Sequence, residues 1–361
     1  MSLHIAGTGW VTPLGSGVEE VWARLLDGET AVADKVSSPL GSDYPVFRVP
    51  PQALVKAPPH PRLRRSSAIS RFAAVAGLEA LATASITLTP ETARRTALIF
   101  AVSNGGVVYT KRFYQEIVES GAQAASPLLF PETVFNAPAS HLAAILGITG
   151  ASYTLVGDGA VGMLALKMAE DLMLADTLDY CLVVGAEEAD WLLCDAYRKW
   201  RLLRAAPPIE PFHRPARGMI LSEGAGAVLL AREGSIEIQQ IAAGTNFRGQ
   251  RDAAMAVQQT MAELCVEPSD LLVASANGTF IDAAEQAAIA AHCPGACVYA
   301  MKGVLGESVG ASSLWQTIVG AQALRTQDVP GREKPAPILS AVVSCCGLNQ
   351  QVAGLRLSVR T

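Results

Sequence analysis

Charge is scarce in this sequence. Only 17% of its 361 residues are Asp, Glu, Lys or Arg, the net charge is -5, and no run of Lys or Arg is long. That excludes the electrostatic footprint of a nucleic-acid binder and of a basic membrane anchor. Long apolar runs are missing as well: none reaches the ~18 residues that a membrane span requires. The opening MSLHIAGTGWVTPLG lacks the basic region and apolar run of a signal peptide. The expectation is a cytoplasmic protein that meets neither membrane nor nucleic acid. Cysteine is sparse, seven residues scattered along the chain, as befits reduced and mostly buried thiols. Cys293 and Cys297 with His292 have no second ligand cluster beside them, so ordinary packing is expected there and no metal.

Half of the residues are hydrophobic and 31 are glycine. With so little charge, this predicts elements covered on both faces and a fold of several layers. Apolar runs bounded by turn residues read as strands: LHIAGTGWV, TALIFAVSN, YTLV, YCLVVGAE, GAGAVLLA, LLVASANG, CVYAMK, ILSAVVSCC and AGLRLSV. Helical patterns alternate with them, notably VEEVWARLLDG, RFAAVAGLEALATA, SHLAAILG, AVGMLALKMAEDLMLA, DAAMAVQQTMAELC and SSLWQTIVGAQAL. Such alternation implies a largely parallel, helix-covered sheet.

Two stretches echo each other, GDGAVGMLALKMAED (157–171) and GESVGASSLWQTIVG (306–320). Two similar halves dividing near residues 232–240 account for this; chance likeness between two buried helices accounts for it equally well. The proline-rich segments 34–63 and 204–218 read as surface loops. Arg62, Arg64, Arg65 and Arg71 flank a helix start and read as a solvated helix end.

In TLVGDGAVGMLALKMAEDLML (154–174) a strand turns sharply into a buried helix, whose first turn offers unpaired N–H groups and a positive dipole end. An enzyme commonly mounts a nucleophile at such a turn, yet Gly157-Asp158-Gly159 stands there. Asp158 is expected to cap the helix.

Five segments in order resemble the beta-ketoacyl synthases of the thiolase-like superfamily: GTGWVTPLGSGVEEVWARLLDGET, SPLLFPETVFNAPASHLAAILGITGASYTL, VVGAEEAD, PFHRPARGMILSEGAGAVLLA and SCCGLN. The resemblance implies an α/β, thiolase-like five-layer αβαβα fold of two similar halves, residues 1–235 and 236–361. In that family a cysteine thiolate at the strand-to-helix turn accepts the acyl chain, and two histidines polarise the malonyl thioester. The cysteine position falls on Gly159. The first histidine is matched by Asn277 in Asn277-Gly278-Thr279, the second by Glu307 after Gly306. Lys302, Asp282, Glu285 and Asn349 match retained family positions, and Cys345 falls where the family often has a bulky phenylalanine gate, which makes it a tunnel or gate position.

No catalytic residue is therefore expected. The resemblance is nearest to the chain length factors: subunits without the cysteine that pair with an active ketosynthase and meet acyl carrier protein through the complex, with no cofactor. An apolar partner interface is expected near residues 130–156. Two enzymatic alternatives stand beside this reading: a malonyl-carrier-protein decarboxylase, and an acyltransferase with a displaced nucleophile, Cys345 or Cys346. His4, His60, His141, His213 and His292 all lie outside the matched site motifs.

Overall fold

The computed structural model describes residues 3–175, 177–332 and 337–359. Ten strands carry the architecture. The first five are β1 (Leu3–Thr12), β2 (Thr96–Val102), β3 (Ser152–Val156), β4 (Tyr180–Glu187) and β5 (Gly224–Ala231). The second five are β6 (Ile236–Asn246), β7 (Leu271–Val273), β8 (Cys297–Tyr299), β9 (Ser340–Cys346) and β10 (Gln351–Val359). The spatial order is β3-β2-β4-β5-β1 in the first set and β8-β7-β9-β10-β6 in the second. In each set the fifth strand runs antiparallel to both neighbours, and the remaining pairs are parallel. The two sets thus share one topology. They join edge to edge through three residue pairs of β1 and β6, Leu3 to Ile238, His4 to Glu237 and Ile5 to Ile236. A small separate sheet combines Ala33–Ser37, Asp43–Phe47 and Leu221–Ser222.

Six helices complete the layers: α1 (Ala68–Thr83), α2 (Ala137–Leu146), α3 (Val161–Met173), α4 (Ala253–Glu263), α5 (Phe280–His292) and α6 (Val309–Thr326). α1 and α2 cover the outer face of the first set, α4 and α5 that of the second, and α3 and α6 lie between the two sets in contact with both. This is the five-layer αβαβα arrangement. The central position explains the composition of α6: every residue from Val309 to Leu324 is buried, so no polar stripe is tolerated and no amphipathic pattern develops. β2 is likewise buried along its whole length, which is why it reads as an unbroken apolar run. The outer layer depends on close approach. A Cβ at Gly9 would stand 1.9 Å from the carbonyl oxygen of Ala76, and one at Gly7 2.1 Å from that of Ala80, so glycine lets α1 lie directly on β1.

The echo between 157–171 and 306–320 has a structural basis, since α3 and α6 each connect the third and fourth strands of their set. They also touch: a Cβ at Gly162 would come within 2.3 Å of the Ser313 Oγ. β6 lies across the 232–240 stretch and was not anticipated as a strand. Glu237, Gln239 and Gln240 break its apolar run, and its burial alternates, as expected of a strand with one face less covered. Among the described residues no helix is long and apolar enough to cross a membrane.

One surface departs from this close packing. The helix Val107–Ser120 has no buried residue. Around it Tyr114, Val118, Leu128, Phe130 and Phe135 are exposed. Nearby in sequence, β3 forms the end of the main sheet with Tyr153 and Val156 exposed.

Candidate functional site

The strand-to-helix turn lies between β3 and α3. Gly159 there does not adopt a conformation that requires glycine, and a Cβ would meet only the Gly347 Cα at 3.5 Å and the Cys346 oxygen at 3.8 Å, ordinary contact distances. Neither backbone strain nor crowding demands glycine at this turn. Asp158 does not serve mainly as the helix cap that its position suggests. The Ala160 N–H reaches its Oδ1 only at 3.4 Å. Its Oδ2 instead accepts from the backbone N–H groups of Asn349 at 3.1 Å, Gln350 at 3.2 Å and Gln351 at 3.5 Å. The carboxylate finds more unsatisfied donors across the gap, in the turn between β9 and β10, than at its own helix.

The second part of the site lies where the chain leaves β7. The Ala274 N–H still donates to the Tyr299 carbonyl of β8, and beyond it the backbone N–H groups are claimed by side chains of α5. Glu285 accepts from Ser275 and Ala276, both at 2.8 Å. Asp282 accepts from Asn277 at 2.8 Å, from Gly278 at 3.0 Å and from Phe212 at 2.6 Å. The Asp-x-x-Glu spacing puts both carboxyls on one face of the helix, and together they fix the loop that carries Asn277. Burial pushes the Glu285 carboxyl up to about 7 against the pull of its backbone donors, and burial also raises Asp282.

Asn277 Nδ2 donates to Glu307 Oε2 at 2.8 Å, while its own Oδ1 accepts from the Thr279 hydroxyl at 2.6 Å. Lys302 Nζ lies 2.8 Å from the same Glu307 oxygen, each side chain 1% exposed. Burial opposes the lysine's charge, but Glu307, Cys345 and Glu285 together outweigh it and the ammonium pKa is raised. Lys302 also reaches Ser275 Oγ at 3.3 Å, and that hydroxyl ties Cys346 through its N–H at 3.0 Å and its oxygen at 3.1 Å. Glu307 Oε1 is buried without a partner among the described residues. Three of the residues singled out from sequence, Asn277, Lys302 and Glu307, therefore form one sealed polar cluster. Gly159 connects with it only through the 346–347 backbone.

Cys345 lies in the central core with its Sγ 3.3 Å from Gln316 Oε1. Burial drives its thiol well above the ordinary range, as it does for Cys346. Asn349 is exposed and meets Asp158 through its backbone N–H. Sequence reasoning overlooked Gln316, whose amide also donates to the carbonyls of Ala274 and Ser344, both at 2.8 Å. A glutamine in the middle of an all-buried helix was the available signal, because a buried amide requires partners.

A cleft of about 720 Å³ opens beside the turn. Its wall includes Asp158, Tyr197, Trp200, Arg248, Leu348 and Gln350. Cys345, Asn277, Lys302 and Glu307 do not line it.

A third group of carboxyls follows β4. Glu188 is 7% exposed and its Oε1 has no partner among the described residues. Burial, and then the charges of Glu223, Glu187 and Asp190, push it up to about 8. Burial pushes Glu187 up to about 7 despite N–H donors from Ser103 and Asn104. A carboxyl whose pKa is raised by folding contributes stability below its unfolded pKa and loses it as pH rises through the folded value. The melting temperature is therefore expected to fall between pH 6 and pH 8.5, with a loss on the order of 2 kcal/mol from Glu188 alone. Differential scanning calorimetry of Glu188→Gln should show a flatter profile over that interval, and an unchanged slope would remove Glu188 as its source.

The layered fold and the strand-turn-helix site define a protein of the thiolase-like superfamily. A family model described as "Beta-ketoacyl synthase, N-terminal domain" matches residues 2–235, well over half of the chain, and the protein belongs to the beta-ketoacyl synthase family. It is 23% identical over 351 residues to nodulation protein E of Rhizobium leguminosarum bv. trifolii, covering 90% of this chain and 87% of that one. It is 22% identical over 362 residues to 3-oxoacyl-[acyl-carrier-protein] synthase 2 of Vibrio cholerae, with 90% and 86% covered. Among solved structures, the ishigamide ketosynthase/chain length factor superposes with a TM-score of 0.86 at 19% identity, covering 100% of this chain and 99% of that chain. A chain of the ketosynthase ApeO in complex with its chain length factor ApeC, from Xenorhabdus doucetiae, gives 0.85 at 16% identity, with 99% and 98% covered.

Proposed function

We propose that the chain is a condensation-inactive, chain-length-factor-like subunit that pairs with an active ketosynthase in type II polyketide-, polyene- or fatty-acid-like chain elongation. The observation that carries this reading is the sealed Asn277–Glu307–Lys302 cluster, together with glycine at the nucleophile turn. The two histidine positions hold an amide whose Nδ2 is spent on Glu307 and a carboxylate that only accepts, so neither points a free donor at a developing enolate. Cys345 and Cys346 do not replace the missing thiol, because burial disfavours the thiolate that reacts.

A partner is supported by what the monomer leaves uncovered. The helix Val107–Ser120 and the residues Leu128, Phe130 and Phe135 expose apolar side chains, and patches of this kind mark interaction surfaces. β3, read SYTLV, presents a sheet edge without the Lys or Pro that guards a solvent-facing strand. The likeness to structures described as ketosynthase and chain length factor supports a ketosynthase-like chain as the occupant. Acyl carrier protein reaches this subunit through the pair. Gly159 lacks a side chain that could narrow a shared acyl tunnel, whereas Cys345 is packed into the core, which removes it from the tunnel wall in this reading.

Decarboxylation supplies the test. With this chain alone, malonyl-carrier protein should persist at its background rate, because losing an oxyanion donor costs ~10²–10³ in rate. Rapid formation of acetyl-carrier protein would favour the decarboxylase alternative.

A further inference from the structure

Asp158 is not a member of the triad positions, yet it makes the contacts that join the two sides of this site. Its Oδ2 accepts from three successive backbone N–H groups, those of residues 349, 350 and 351. Gly347 packs so tightly against the carboxylate that a Cβ there would stand 2.2 Å from either oxygen. The same loop is held from the interior by Ser275, whose hydroxyl bonds both the N–H and the oxygen of Cys346. Between these two anchors lies the space at Gly159, bounded by Gly347 and Cys346. On the outer side lies the cleft, whose wall includes Asp158 and residues 348–351. On the inner side lies the buried Lys302–Glu307 pair, reached through Ser275.

We propose that Asp158 is a positioning residue that locks the 347–351 loop closed, shutting the cleft off from the space at Gly159 and from the buried cluster behind it. A charged acceptor bonded to three amides is a strong local restraint on a loop that is exposed at 349 and 350. Leu348 packs against the core, and the backbone bonds from Gly347 to Gln351 and from Phe247 to Gln350 hold the two ends of the loop, so the restraint by Asp158 acts on the amides between them. The lock excludes an acyl chain arriving from the cleft. Its purpose rests on the partner-subunit reading, since a subunit that does not condense gains by refusing chains meant for its partner. The lock itself stands on the contacts of this chain alone.

The test is amide hydrogen exchange on the full chain, read at residues 349–351. In Asp158→Ala these amides should exchange at least about tenfold faster while the Ser275-anchored amide of Cys346 does not change. Added sodium formate should restore protection in that variant by supplying the missing carboxylate, and should do nothing to the natural chain. Gly347→Ala should release the same amides by displacing the Asp158 side chain. Unchanged exchange in both variants would overturn the proposal, as would a loss of protection spread over the whole chain.

A second readout uses a thiol as a reporter of access. Gly159→Cys should be alkylated slowly by iodoacetamide, and the double variant Asp158→Ala/Gly159→Cys about tenfold faster or more. Asp158→Asn/Gly159→Cys separates contact from charge, because it removes the charge next to the thiol but keeps an acceptor oxygen. A rate close to that of the single variant supports the lock, and a rate equal to that of the alanine double variant overturns it. Neither readout involves a partner or a substrate, so a failure here is distinct from a failure of the proposed function.

Discussion

Lys302→Ala is expected to cost about 3–5 kcal/mol of folding stability, the penalty for leaving one member of a buried ion pair without its partner. Lys302 and Glu307 are each 1% exposed at the side chain and 2.8 Å apart. Among the described residues, Asn277 is the only other side chain bonded to the shared Glu307 oxygen. One amide does not compensate a buried carboxylate. Removing both charges at once, as in Lys302→Met/Glu307→Leu, should recover most of the loss, since apolar replacement of a buried pair is often neutral. Urea denaturation of the two single variants and the double variant gives the coupling directly. A single-variant loss below about 1 kcal/mol would mean that water reaches the pair and that the cluster is not sealed.

In the proposed pair, Phe135→Glu is expected to abolish assembly with the ketosynthase and, with it, the output of the pair. The ring rests on Gly105, where a Cβ would stand 2.4 Å from it. It is 45% exposed, so the monomer should lose little stability. The cost falls on the interface, because obligate interfaces often bury more than ~2,000 Å² and a charge in their apolar centre is left unpaired. Size-exclusion chromatography of the mixed chains should show separate components. A pair that stays active after complete loss of binding would show that assembly is not the function.

The strands were legible because layered packing buries them on both faces. β2 and β5 are buried at every residue and read as continuous apolar runs, whereas β6 alternates and escaped notice. The positions Asn277, Lys302 and Glu307 came from the order of motifs, and their mutual contact is a fact of tertiary structure that no local pattern encodes. Asp158 shows the limit most clearly. Its place before a helix suggests a cap, but its partners are nearly two hundred residues away in sequence, and the choice between a near donor and a distant trio depends on how the halves meet. Cys345 shows the same limit from the other side: motif alignment places it at a gate, while the direction of its side chain, toward Gln316 in the core, is set by the pleat of β9.

The central claim is that this subunit takes no part in the covalent chemistry of elongation, and intact-protein mass spectrometry tests it most directly. The chain alone, and then the chain with its ketosynthase, is incubated with acyl- and malonyl-carrier protein and weighed. The account predicts an acyl adduct on the ketosynthase and an unmodified mass for this chain in both mixtures. A stoichiometric acyl adduct on this chain, on any residue, would contradict it.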